Sequence, residues 1–165
     1  MARAMIAYLV RHGVAHPDRG GGDFDRALTD EGIHRMRRIA AGLRGTMKVR
    51  PAAVWSSPLK RTVQTAELIC EALELPDLML CDWLAPDGDP EAHSTALRSM
   101  SEAVVLVGHQ PGLGALASRM LTGTDDSAFL PFKKGAAACI QRSGSDLHGQ
   151  LQWFMTPAQL ARIGR

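Results

Sequence analysis

Four residues in three short stretches could do chemistry together. Arg11 and His12 follow an apolar run, residues 5–10, and precede Gly13. Arg61 closely follows Ser57-Pro58, and His109 follows Gly108 after a second apolar run, residues 103–107. A neutral imidazole is a nucleophile, and a guanidinium presents a planar fork of donors that suits phosphate oxygens. Singly, each has a plain reading: a solvated or ion-paired arginine, a capping or structural histidine. Jointly, two arginines, two histidines and nearby helix N-termini describe an oxyanion or phosphate site. A metal centre fits poorly. Zinc needs further ligands at usable spacing, whereas His16, His34, His93 and His148 are scattered and Cys70, Cys81 and Cys139 lie within apolar runs. Two arginines would also repel a divalent cation. We therefore expect no metal and no cofactor.

The elements that must position these residues are legible in the hydrophobic pattern. Residues 5–10, 52–56, 78–81 and 103–107 read as strands, with late strands at 136–141 and 151–155 joined by a polar loop, 143–149. Gly13 suits a sharp turn after the first strand. Residues 14–27, containing Gly20-Gly21-Gly22, read as a loop. Helices are predicted from Thr29 as N-cap, from Ser57-Pro58 as cap and first position, over 91–100, from Pro111 to Gly123, and after Thr156-Pro157. Arg35 and Arg38 fall on the solvent face of the first helix. Alternating strands and helices predict an α/β three-layer sandwich, its mostly parallel central sheet flanked by helices. In such a sheet the ends carrying His12, Arg61 and His109 share one edge, where open α/β sheets bind ligands.

The 165 residues suit a single domain, 1–165. A hydrophobic fraction of 45% and a charged fraction of 22% are ordinary, and a net charge of +2 is too small to argue for nucleic acid or membrane, neither of which is expected as a partner. No apolar stretch approaches a membrane span, and the start runs directly into the first strand, so no signal peptide is expected. Three cysteines without a Cys-x-x-Cys pair fit a reducing cytoplasm. A cytoplasmic monomer is expected.

The motifs resemble those of the histidine phosphatase superfamily, in particular its small phosphohistidine phosphatases of the SixA type. The resemblance rests on Leu9-Val10-Arg11-His12-Gly13, residues 26–32, residues 56–65 with Ser57-Pro58-Leu59-Lys60-Arg61, residues 84–89, residues 105–111 with Gly108-His109, and the tail, residues 153–160. It covers essentially the whole chain and implies a phosphoglycerate-mutase-like fold. It implies His12 as a nucleophile that becomes phosphorylated, with Arg11, Arg61 and His109 binding the phosphoryl oxygens. The implied activity is metal-independent hydrolysis, on phosphohistidine in proteins or, alternatively, on small phosphate esters. A non-catalytic phosphate or phosphoprotein binding module is a third reading, which retention of all four residues disfavours. Ala27 departs from the family, which usually has proline there. The general acid is ambiguous, with Asp82, Asp87 and Asp23 as candidates. On electrostatic grounds, the arginines should disfavour protonation of His12. Only 47 residues separate Arg61 from His109, leaving little for a lid.

Overall fold

The computed structural model describes residues 4–126, 129–143 and 148–165. Most of the predicted loop 143–149 and the first three residues of the chain lie outside them. In chain order the elements are β1 (Met5–Arg11), α1 (Asp30–Thr46), β2 (Ala53–Ser56), α2 (Lys60–Leu73), β3 (Leu78–Leu80), a 3-10 turn (Asp82–Leu84), α3 (Pro90–Ser99), β4 (Val104–Gly108), α4 (Gly112–Thr122), β5 (Ala137–Arg142), β6 (Gln150–Met155) and α5 (Pro157–Ile163).

The strands form one sheet in the order β3-β2-β4-β1-β5-β6. Strands β3, β2, β4 and β1 are mutually parallel, and β5 runs antiparallel to both its neighbours. Two apolar layers cover the sheet, which explains why β1 and β4 are unbroken apolar runs rather than alternating ones. Ile6, Tyr8 and Val10 of β1 point into a core with Met36, Ile39 and Leu43 of α1, Ile69 of α2 and Leu160 of α5. Met5, Ala7 and Leu9 point the other way, into a core with Leu97 of α3 and Leu113, Leu116 and Met120 of α4. The three-layer α/β sandwich is therefore as expected.

Two local readings are corrected. Helix α2 starts at Lys60, not at Ser57-Pro58, and Leu59 occupies its N-cap without a side-chain cap. The Ser57 hydroxyl is spent elsewhere, on His109. The lack of a Cβ at Gly13 is used as expected where the chain leaves β1: a Cβ there would lie 2.5 Å from Met36 Cγ, while its φ is not left-handed. Arg38 is only half exposed, and its Nη2 donates to the Ala161 carbonyl of α5 at 3.4 Å.

Helix α5 carries a capping box, Thr156 with Gln159, and lies almost backbone to backbone on α1. A Cβ at Gly42 would stand 1.9 Å from the Leu160 carbonyl oxygen, and one at Gly164 would stand 1.9 Å from the Arg38 carbonyl oxygen. Backbone cannot yield as a side chain does. Gly42→Ala should therefore cost about 3 kcal/mol, lowering Tm by roughly 6–12 °C for a domain of this size. A melting curve within about 2 °C of the wild type would show that α5 can slide away from α1.

Candidate active site

The parallel registers bring the strand ends together. Arg11 of β1 lies opposite Gly108 of β4, and Ser56 of β2 lies opposite Val107. The ladders continue one step past the strands: His12 N donates to the Gly108 carbonyl at 3.1 Å, and Ser57 N to the Val107 carbonyl at 3.0 Å. His12, His109 and the start of α2 thus sit on neighbouring strands at one sheet edge.

The side chains meet there. His12 is 4% exposed and His109 5%. Their rings are 5.2 Å apart between centroids, tilted by 56°. His12 Nδ1 lies 2.7 Å from the Gly13 carbonyl oxygen. A carbonyl only accepts, so Nδ1 holds the proton and Nε2 keeps its lone pair. Arg61, 4% exposed, directs Nε at that Nε2 from 3.4 Å. Its Nη2 lies 3.4 Å from His109 Nδ1. Because guanidinium only donates, His109 carries its proton on Nε2, which donates to Ser57 Oγ at 2.8 Å.

Arg61 is held in place from both sides. Thr65 Oγ1 donates to the Arg61 carbonyl at 2.8 Å and accepts from Gly13 N at 3.1 Å, tying α2 to the turn after β1. From the loop, Asp23 accepts twice: its carbonyl from Nη1 at 2.8 Å and its Oδ2 from Nη2 at 3.0 Å. Arg11 Nη1 donates to the Phe132 carbonyl at 2.7 Å, while its Nε–H is buried without a partner among the described residues. An unmet buried donor beside two more cationic N–H groups is an arrangement that suits an oxyanion.

Burial pushes the His12 imidazole down to about 3, with His109, Arg61 and Arg11 pushing the same way and the Gly13 carbonyl opposing. Burial, then the arginines, takes His109 down to about 4. Desolvation thus outweighs the arginine field that the sequence suggests as the reason for a neutral His12. Both rings are neutral in the folded chain, whereas an unfolded chain protonates them below about 6.5. Stability should therefore be lost as pH falls from about 6.5 towards 4, by at most about 1.4 kcal/mol per pH unit for each ring, and should be insensitive to them above that window. Between pH 6.5 and 4.5 the wild type should lose Tm faster than His109→Asn; parallel curves would contradict the assignment.

The three acid candidates separate. Asp23 touches Arg61, yet bonds from Arg26 and Arg61 hold its carboxyl below the usual range, so it stays ionised. Asp82 and Asp87 lie exposed, lining a groove beside the site with Phe24, Leu59, Leu80 and Trp83. Their side chains make no hydrogen bond or ion pair among the described residues. Sequence reasoning does not single out Thr65, and it takes Ser57 for a helix cap only. The spacing of Arg61 and Thr65, one helical turn, is the available signal for Thr65. Among the described residues, no group of three or more His, Cys, Asp or Glu is placed to hold a metal.

Comparison with known proteins identifies the family. Residues 7–82 match the histidine phosphatase superfamily (branch 1). The chain is 30% identical to the phosphohistidine phosphatase SixA of Escherichia coli (strain K12) over 161 residues, covering 94% of this chain and 96% of that one. The chain therefore belongs to the histidine phosphatase superfamily, and it is a phosphatase. Within that class it is of the SixA type: a structure of the protein histidine phosphatase SixA complexed with tungstate superposes with a TM-score of 0.81 at 29% identity, covering 94% of this chain and 99% of that one. Phosphoglycerate mutase from Bacillus anthracis str. Sterne shares the fold, with a TM-score of 0.68 at 14% identity, over 99% of this chain and 98% of that one.

Proposed function

We propose that this chain hydrolyses phosphohistidine in proteins through a covalent phospho-His12 intermediate, without a metal. The observation that carries the reading is the free lone pair on His12 Nε2, fixed by the Gly13 carbonyl and facing cationic donors. The SixA relative that takes up tungstate, a tetrahedral oxyanion, supports it.

In the first step Nε2 attacks phosphorus as the bond to the substrate's imidazole nitrogen breaks, and that nitrogen recovers a proton from solvent. In the second, water attacks phosphorus, the bond to Nε2 breaks, and inorganic phosphate leaves with His12 neutral again. Arg61 and the unmet Nε–H of Arg11 stabilise charge on the equatorial oxygens throughout. An arriving dianion raises the proton affinity of His109 Nδ1 and turns that edge into a further donor. A departing imidazole, of reference pKa about 6.5, needs less help from an acid than an alkoxide does, so an ionised Asp23 is tolerable. Asp82 and Asp87 are the remaining candidates for an acid towards esters.

The stretch between Arg61 and His109 is taken up by the rest of α2, β3, the 3-10 turn, α3 and β4, which supports an open site admitting a side chain still attached to a protein. No helix among the described residues is long and apolar enough to cross a membrane. The three cysteines are buried and unpaired, which supports a reducing cytoplasm as the place of action. With equal concentrations of a phosphohistidine protein and glycerol phosphate, kcat/KM should favour the first by at least about a hundredfold, roughly 2.7 kcal/mol of barrier. EDTA should leave the rate unchanged. Comparable kcat/KM values would overturn the substrate assignment and favour small esters.

A further inference from the structure

At the opposite pole of the sheet a second cavity, of about 310 Å³, opens between α3, α4 and β5. Arg142 marks the pole: it ends β5 and pairs with Met5, the first residue of β1, whereas the phosphatase site lies beyond the last. Leu97 and Met120 form apolar wall, and Arg98, Arg119 and Arg142 line it with a single carboxylate among the described residues, Asp125.

Two of these arginines have ordinary explanations. Arg98 and Arg119 stand in the last turns of α3 and α4, where the helix dipole favours cations. Arg119 is also fully engaged, with Asp125 through Nε and Nη2 and with the Pro90 carbonyl and Ser94 Oγ through Nη1. Arg142 differs. It is only 9% exposed. Among the described residues it meets no carboxylate and makes one hydrogen bond, from Nη2 to the Leu97 carbonyl at 2.6 Å. Its Nε–H is buried without an acceptor among them. A charged donor that is buried and meets no acceptor among the described residues, in the wall of a cavity with room for a small molecule, suits an oxygen of a bound ligand.

We infer that this cavity binds a small oxyanion, a carboxylate or a phosphate, carried on an apolar body, with Arg142 and Arg98 as its cationic contacts and Leu97 and Met120 against the body. The site is separate from the phosphatase centre and its occupancy does not depend on the reaction proposed there.

Calorimetric titration of the whole chain with benzoate and with phenylphosphonate tests this, the two probes distinguishing carboxylate from phosphate ligands. At least one should saturate. Its affinity should survive Arg61→Ala, which disarms the phosphatase site, and should fall about tenfold or more in Arg142→Gln and in Arg98→Glu. Should Arg142→Gln fail to fold for want of its Leu97 contact, the exposed Arg98→Glu carries the test alone. Saturation by neither probe, or binding lost in Arg61→Ala but kept in Arg98→Glu, would overturn the inference.

Discussion

His12→Ala should lower turnover by at least about four orders of magnitude, the usual consequence of removing a covalent nucleophile. No neighbour can substitute. His109 presents its lone pair to Arg61 and commits its proton to Ser57, and Asp23 is ionised and bound to two arginines. The loss should fall on kcat, since the proposed phosphate contacts, Arg11, Arg61 and His109, remain. Acid-labile phosphate should be trapped on rapidly quenched wild type and be missing from the variant. Substantial turnover by folded His12→Ala would eliminate the covalent mechanism, whatever the substrate.

Arg61→Lys should cost roughly a thousandfold in kcat/KM while the fold survives. One guanidinium here addresses His12 Nε2, His109 Nδ1 and both oxygen acceptors of Asp23 at once. A lysine ammonium offers a point charge from a flexible stem and cannot hold these directions together. The charge is kept, so this variant separates geometry from field. Melting temperature should move little, because Asp23 is 54% exposed and its ion pair with Arg61 is partly screened. Collapse of thermal stability with specific activity retained would mean that Arg61 is a structural strut instead.

What the amino-acid sequence discloses and what it hides follow from range. Strands β1 and β4 are legible because burial on both faces leaves only apolar residues. A parallel sheet then aligns their ends, so Arg11, His12 and His109 can be grouped from residue order alone. Local capping is legible too, at Thr29 and Thr156. The start of α2 is not, because Ser57-Pro58 has the local grammar of a cap, while the partner that claims Ser57 lies 52 positions away. Thr65 reaches Gly13 across the same separation, and Arg11 reaches Phe132 across 121. No local pattern encodes such pairs. The neutrality of His12 is legible for the lesser reason only, since a sequence shows neighbouring charges and not depth.

Asp23 stands on a loop with Gly20 and Gly22 in positive-φ conformations just before it, and its carboxylate occupies the Nη2 edge of Arg61, which the proposed mechanism assigns to an incoming phosphoryl oxygen. Substrate and loop therefore contend for one donor. The chain carries a tethered rival to its own ligand, present at a fixed effective concentration whatever the solution holds. Apparent affinity for any phosphate is discounted by the fraction of time that the rival is in place. The discount falls equally on free phosphate, so the product leaves as readily as a weak substrate is refused. A ligand that also contacts the protein outside the phosphate pocket can overcome the rival, and one that is little more than a phosphate cannot.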